Sequence, residues 1–182
     1  MSLLADPSTT LLLVVDIQEK FIPHIHEAER VVSGSVRMLR AANVLGLPVI
    51  VTEQYRKGLG TTVPQVLEAA ASASVIEKMT FSCLGSESVR QAIDEAGART
   101  VLLVGIEAHV CILQTAMDLL DLGLRPQVVA DAVSSRRESD MLAALERMRQ
   151  AGVVIATSEM TILELVRDAS LPAFKAVLPL IK

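Results

Sequence analysis

Three residues from distant parts of the chain have the types that nucleophilic chemistry needs. Cys111 stands just after an apolar run, Thr100–Ile106, where a helical pattern begins. Free N–H groups and the dipole at a helix N-terminus favour a thiolate. By position alone, Cys111 reads equally as a nucleophile or as a small buried hydrophobe. Asp16 interrupts the apolar run Leu11–Val15. A carboxylate there either caps a turn or accepts a proton from a thiol. Lys78 follows the run Ser74–Glu77. Alone it reads as a solvated surface residue; beside an acid and a thiol, it can hold a thiolate or a developing oxyanion by charge. The second cysteine, Cys83, sits in the polar turn Phe81-Ser82-Cys83-Leu84-Gly85 and is expected to be inert. His109 is near Cys111 and is a candidate base for it. His24 and His26 form a His-x-His pair after Pro23, but zinc needs a third ligand, so the pair reads as surface.

These residues gain meaning from the elements that must carry them. Short apolar runs recur at Leu11–Val15, Pro48–Thr52, Ser74–Glu77, Thr100–Ile106, Pro126–Ala130 and Gly152–Thr157. Several are rich in Val and Ile and apolar on both faces, as parallel strands covered on both sides are. Helical patterns lie between them at Glu27–Leu45, Ser86–Ala96, Cys111–Leu122, Ser139–Ala151 and Ser158–Arg167. Gly46, Gly97, Gly123 and Gly152 stand where those helices should stop. The tail 168–182, with Pro172 and Pro179, is expected to pack as an irregular helix.

The alternation predicts an α/β doubly wound sheet with right-handed crossovers. The expected architecture is a three-layer Rossmann-like fold with a six-stranded parallel sheet in the order 3-2-1-4-5-6, as one domain over residues 1–182. Ligands in such folds sit beyond the carboxyl ends of the strands. Asp16, Glu53 and Gln54, Lys78, Glu107 to Cys111, and Asp131 should all reach that edge.

The glycines of Gly58-Leu59-Gly60 are weak evidence for phosphate binding, because no strand leads into them in the GxGxxG manner. Asp16-Ile17-Gln18-Glu19-Lys20 contains no glycine, which argues against a dinucleotide loop. A receiver domain would want an acid where Lys78 stands. An Asp-x-Asp phosphatase would want one where Gln18 stands.

Composition narrows the classes further. The 182 residues hold three Phe, one Tyr and no Trp, so the core must be aliphatic. Seventeen basic and 21 acidic residues give a net charge of -4, against the basic face of a nucleic-acid binder. Two cysteines make no disulfide framework, and no apolar run has the ~20 residues of a membrane span. The expectation is a cytoplasmic enzyme with a small-molecule substrate and neither nucleic-acid nor membrane partners. A mean hydropathy of +0.46 adds the expectation of a homo-oligomer, a dimer or larger.

The segments LLLVVDIQEKF (11–21), EKMTFSCLGS (77–86) and VLLVGIEAHVCILQTAMDLL (101–120) resemble the isochorismatase-like cysteine hydrolases, in order and at the family's spacing. TEQYRKGLGTTV (52–63) and FKAVLPLIK (174–182) resemble the isochorismatase-domain-containing subgroup. The resemblance places the family's triad on Asp16, Lys78 and Cys111. In amidase members the aspartate takes the thiol proton, the thiolate attacks a carbonyl, and water hydrolyses the thioester. It also implies an oxyanion hole from the backbone N–H groups of Glu107 and Cys111, with a cis peptide at Ile106–Glu107. Gln18, Phe21, Glu53, Gln54, Tyr55 and Phe81 are expected to line the substrate pocket.

Two departures refine what the resemblance implies. True isochorismatases, which split a vinyl ether, lack the cysteine that this chain keeps. Nicotinamidase members bind a metal through an Asp-x-His motif and a further His after the second strand. Here that stretch reads Glu53-Gln54-Tyr55-Arg56-Lys57-Gly58. The expectation is a hydrolase with no metal and no cofactor, acting on a small amide or related carbonyl compound. The alternatives are an isochorismate vinyl-ether hydrolase and a non-catalytic binding or regulatory protein on the same fold. Lys78 and the helix end are expected to outweigh Asp16 and favour the Cys111 thiolate, and Lys78→Ala to leave the fold intact.

Overall fold

A computed structural model describes residues 4–71 and 73–182. The strands are β1 (Thr10–Val15), β2 (Val49–Gln54), β3 (Ser74–Lys78), β4 (Thr100–Ile106), β5 (Arg125–Ser134) and β6 (Val154–Ala156). They form one six-stranded sheet in the order β3-β2-β1-β4-β5-β6, with every pairing parallel. The helices are α1 (Ala28–Leu45), α2 (Arg56–Leu59), α3 (Pro64–Ala70), α4 (Glu87–Glu95), α5 (Leu113–Asp121), α6 (Glu138–Ala151), α7 (Ser158–Val166) and α8 (Pro172–Val177).

The central strand shows why the sheet is covered on both faces. Every residue of β1 is buried. Side chains alternate across a strand, so Leu12 and Val14 join Met38, Leu39 and Ile162 on one face. Leu11, Leu13 and Val15 join Val89, Ile112, Leu119 and Met148 on the other. Two aliphatic cores thus clamp the strand that ends in Asp16, and its position follows from theirs.

β5 differs from its expected bounds. It runs on to Ser134 through an irregularity, where β4 pairs Leu103 with Val128 but Gly105 with Val133. Asp131 is therefore inside the strand, and its carboxylate accepts from the Ser158 N–H (2.7 Å) and hydroxyl (2.6 Å) at the start of α7. The strand register reaches past the apolar run because a bulge absorbs the extra residues. Gly105 has φ +121°, and a Cβ there would meet the Val15 carbonyl oxygen at 2.1 Å, so only glycine fits beside β1. The tail does form α8 and a 3-10 turn, Leu178–Leu180, with Val177 fully buried.

Candidate active site

β1 and β3 end side by side with β2 between them, which brings an acid and a cation together. Asp16 adopts φ 55°, a left-handed conformation that aspartate tolerates better than most residues, and turns the chain at the strand's end. Lys78 is the last residue of β3. Its Nζ donates to Asp16 Oδ2 at 2.7 Å, with both side chains essentially unexposed. Thr52, in β2 between them, donates its hydroxyl to Asp16 Oδ1 at 2.8 Å. Both carboxylate oxygens are thus held.

The thiol arrives from the other side of β1. β4 leads into a π-helical turn, Ala108–Ile112, that continues into α5, and Cys111 lies within this turn. π turns recur where a helix is bent to aim a functional group. Cys111 is 3% exposed. Burial pushes its pKa well above the usual thiol range; the Asp16 charge and a hydrogen bond to Asp16 push the same way, while Lys78 pulls it down. The resting residue is therefore a thiol aimed at a carboxylate. This corrects the expectation that Lys78 and the helix end would win: they do not outweigh burial and the acid. Burial alone would lower the Lys78 pKa, but Asp16 and the two thiols raise it on balance.

Cys83 lies in the same apolar cluster as Cys111. Its turn folds inward, so the thiol is fully buried, 3.8 Å from the Thr52 hydroxyl, and its N–H donates to Thr115 Oγ1 at 2.9 Å. Burial and then Asp16 push its pKa up to about 11, against Lys78. A raised thiol pKa stabilises the fold below the ordinary value of 9.0, and that contribution is lost as pH climbs through about 11. We expect Cys83→Ala to lose about 2 kcal/mol less stability than the parent between pH 8 and 11. Urea unfolding at the two pH values checks this, and equal losses would contradict it.

The Ile106–Glu107 bond is trans, since the described residues contain no cis peptide. This corrects the cis expectation. The exit from β4 is made instead by Gly105 and the π-helical turn, with Val110 and Ile112 N–H groups both donating to the Glu107 carbonyl at 3.0 and 3.3 Å, so an ordinary trans amide suffices. With that bond trans, no oxyanion hole is assigned to Glu107 and Cys111. The Glu107 carboxylate pairs with Arg136, and His109 Nδ1 lies 2.9 Å from Ser135 Oγ.

Of the residues expected to line a pocket, three have their polar groups taken up by the protein. Gln18 accepts from the Gln54 N–H (2.7 Å) and donates to the carbonyls of Gln54 (3.0 Å) and Gly60 (2.7 Å). Glu53 accepts from Thr62 N–H and hydroxyl at 2.7 and 2.9 Å and pairs with Arg56. Burial works against the Glu53 carboxylate, yet these donors hold its pKa below the ordinary range. The Gln54 side chain accepts from Lys78 and donates to the Met79 carbonyl. Tyr55 and Phe81 are exposed and Phe21 is half-buried. Sequence reasoning missed Thr52. Thr52 was visible only as the end of an apolar run.

His26 is tied to β5 through Ser134 and Ser135, and among the described residues no group of three His, Cys, Asp or Glu is disposed to hold a metal. A cavity of about 820 Å³ runs along α1 and α3 past Val32, Val36 and Val63, and includes none of Asp16, Lys78 or Cys111. The three candidate residues lie at the strand ends, not in that groove.

Fold and site together define a doubly wound α/β protein with an acid, an ammonium and a thiol buried at the carboxyl edge of its sheet. The chain belongs to the isochorismatase family: the Isochorismatase domain model matches residues 10–160. It is 46% identical to isochorismatase domain-containing protein 2A of Mus musculus over 177 residues, 97% of this chain and 84% of that protein. It is also similar to the structure of MAR1 ribonuclease from Caenorhabditis elegans, with 44% identity and a TM-score of 0.93 over 97% of this chain and 91% of that one. The ycaC gene product of Escherichia coli, described as a hydrolase of unknown specificity, shares the fold at 23% identity, with a TM-score of 0.93 over 100% and 90% of the two chains. Membership supports a hydrolase of this family. No described helix is long and apolar enough to cross a membrane.

Proposed function

We propose that this chain is a metal-independent cysteine hydrolase of a small amide or related carbonyl compound, working as one domain with Cys111 as nucleophile. The observation that carries the reading is the buried Asp16 carboxylate, held by Lys78 and Thr52, whose charge acts on the buried Cys111 thiol. Asp16 takes the thiol proton as sulfur bonds to the substrate carbonyl carbon. The carbonyl electron pair moves onto oxygen, then returns as the amine leaves with the proton from Asp16. Water, deprotonated by Asp16, cleaves the thioester and restores the thiol. Lys78 keeps the site's net charge near neutral while a negative charge moves from carboxylate to sulfur.

No standing thiolate is available to react with passing electrophiles, and proton transfer is coupled to attack. A panel of small amides tested for ammonia release, beside isochorismate and a single-stranded RNA, separates the readings. We expect amide hydrolysis that survives exhaustive chelation. Turnover of isochorismate or RNA alone would overturn the proposal, as would loss on EDTA with recovery on adding zinc.

A further inference from the structure

Lys78 has more partners than protons. Its Nζ lies 2.7 Å from Asp16 Oδ2, 2.8 Å from Gln54 Oε1, and 3.2 Å from each of the Thr80 and Phe81 carbonyl oxygens. An ammonium has three N–H groups. Two are taken by the short bonds to Asp16 and Gln54, and the two carbonyls share the third. No proton of Lys78 is left to hydrogen-bond a substrate or the thiolate, so its influence on Cys111 is that of a fixed charge.

A fixed charge must be fixed by something, and Asp16 alone does not suffice. A lysine stem has four rotatable bonds, and a salt bridge to one oxygen leaves the ammonium free to swing about it. Gln54 supplies the second tether, and it is itself immobilised at every polar group. Its side-chain N–H donates to the Met79 carbonyl at 2.7 Å. Its backbone N–H and carbonyl are clasped by the two ends of the Gln18 amide. The chain of restraint runs from Gln18, just after β1, through Gln54 at the end of β2 to Lys78 at the end of β3.

We infer that Gln54 is a positioning residue which locks the Lys78 ammonium where its field acts on the Cys111 sulfur, and that it does not bind substrate. The inference rests on the reading of Cys111 as nucleophile, but its test needs no substrate. Without the Gln54 acceptor, the ammonium drifts toward the Thr80 and Phe81 carbonyls, and the thiol loses part of the one influence that favours its ionised form.

The experiment is the rate of Cys111 alkylation by iodoacetamide at pH 9, resolved from Cys83 by peptide mass mapping. Gln54→Met keeps the length and removes the acceptor; Gln54→Asn keeps the amide but falls short of Nζ. Both should slow labelling about tenfold, the equivalent of one pKa unit. In a Lys78→Gln background, Gln54→Met should slow it no further, because the charge to be positioned is gone. A purely structural role would move the melting temperature while leaving the labelling rate unchanged or faster through loosening, or would slow it equally in both backgrounds; any of these overturns the inference. Should Lys78→Gln not fold, the two Gln54 variants decide alone: unchanged or faster labelling in both refutes it. If labelling slows as expected but no amide is hydrolysed, the proposed activity fails while the positioning role stands.

Discussion

Cys111→Ala is expected to lower amide turnover by a factor on the order of 10⁴ or more, with the fold intact. The side chain belongs to a buried apolar cluster that includes Ala108, Ile112 and Ala116, and the substitution removes only a sulfur. Alanine is a good helix former, so the helix it begins is preserved. The loss is chemical: the substrate carbonyl has no sulfur to bond to, and Asp16 has no thiol proton to take. Asp16→Asn should cost nearly as much, because an amide cannot accept that proton. The two losses should not add, since the residues act as one unit. Steady-state kinetics of the single and double variants, with circular dichroism as the control for folding, provide the check. A double variant much worse than either single one would show the two residues acting separately.

Lys78→Met is expected to destabilise the protein by about 3–5 kcal/mol. Sequence reasoning treats a lone lysine as replaceable, and predicts that Lys78→Ala leaves the fold intact. The structure reverses that, because the ammonium is fully buried against a fully buried carboxylate. Removing one partner strands the other, and the Thr52 hydroxyl is a weak substitute for a charge. Replacing both, as Asp16→Asn with Lys78→Met, should restore most of the stability, because neither charge then remains unpaired. Urea unfolding of the three variants at pH 7 separates these outcomes. A Lys78→Met variant within about 1 kcal/mol of the parent would mean that the buried pair is far better solvated than its geometry implies.

How much of this was legible depends on the range over which each feature is encoded. Leu11–Val15 and Thr100–Ile106 declare themselves as covered strands by local composition, and the residues that end them, Asp16 and Glu107, follow directly. Lys78 was placed at the end of the third strand for the same reason. The doubly wound parallel sheet was legible from alternation, since right-handed crossovers leave few choices. Long-range pairings that the resemblance did not supply were not legible. Thr52 meets Asp16 across 36 residues, and Gln54 meets Lys78 across 24. Nothing in either neighbourhood marks a hydroxyl or an amide as reserved for a distant charge.

Phe81 to Gly85 has the composition of a surface turn, yet it buries Cys83. The Ser82 hydroxyl accepts from the Leu84 N–H at 3.2 Å and reaches Asp118, which turns Cys83 inward. The cis bond came from resemblance alone, with no residue of this chain demanding it. The extension of β5 was hidden because a bulge breaks the apolar pattern at Asp131.

The central claim is that Cys111, and no other group, bonds to the substrate carbonyl. Its most direct test is acid quenching within the first turnover on an amide that the protein hydrolyses, followed by peptide mass mapping. The account predicts a transient acyl mass increment on the peptide containing Cys111. The increment should be discharged by hydroxylamine, as a thioester is, and absent from the Cys111→Ala variant. Turnover at the parent rate in Cys111→Ala, or an acyl increment on the Cys83 peptide instead, would contradict it.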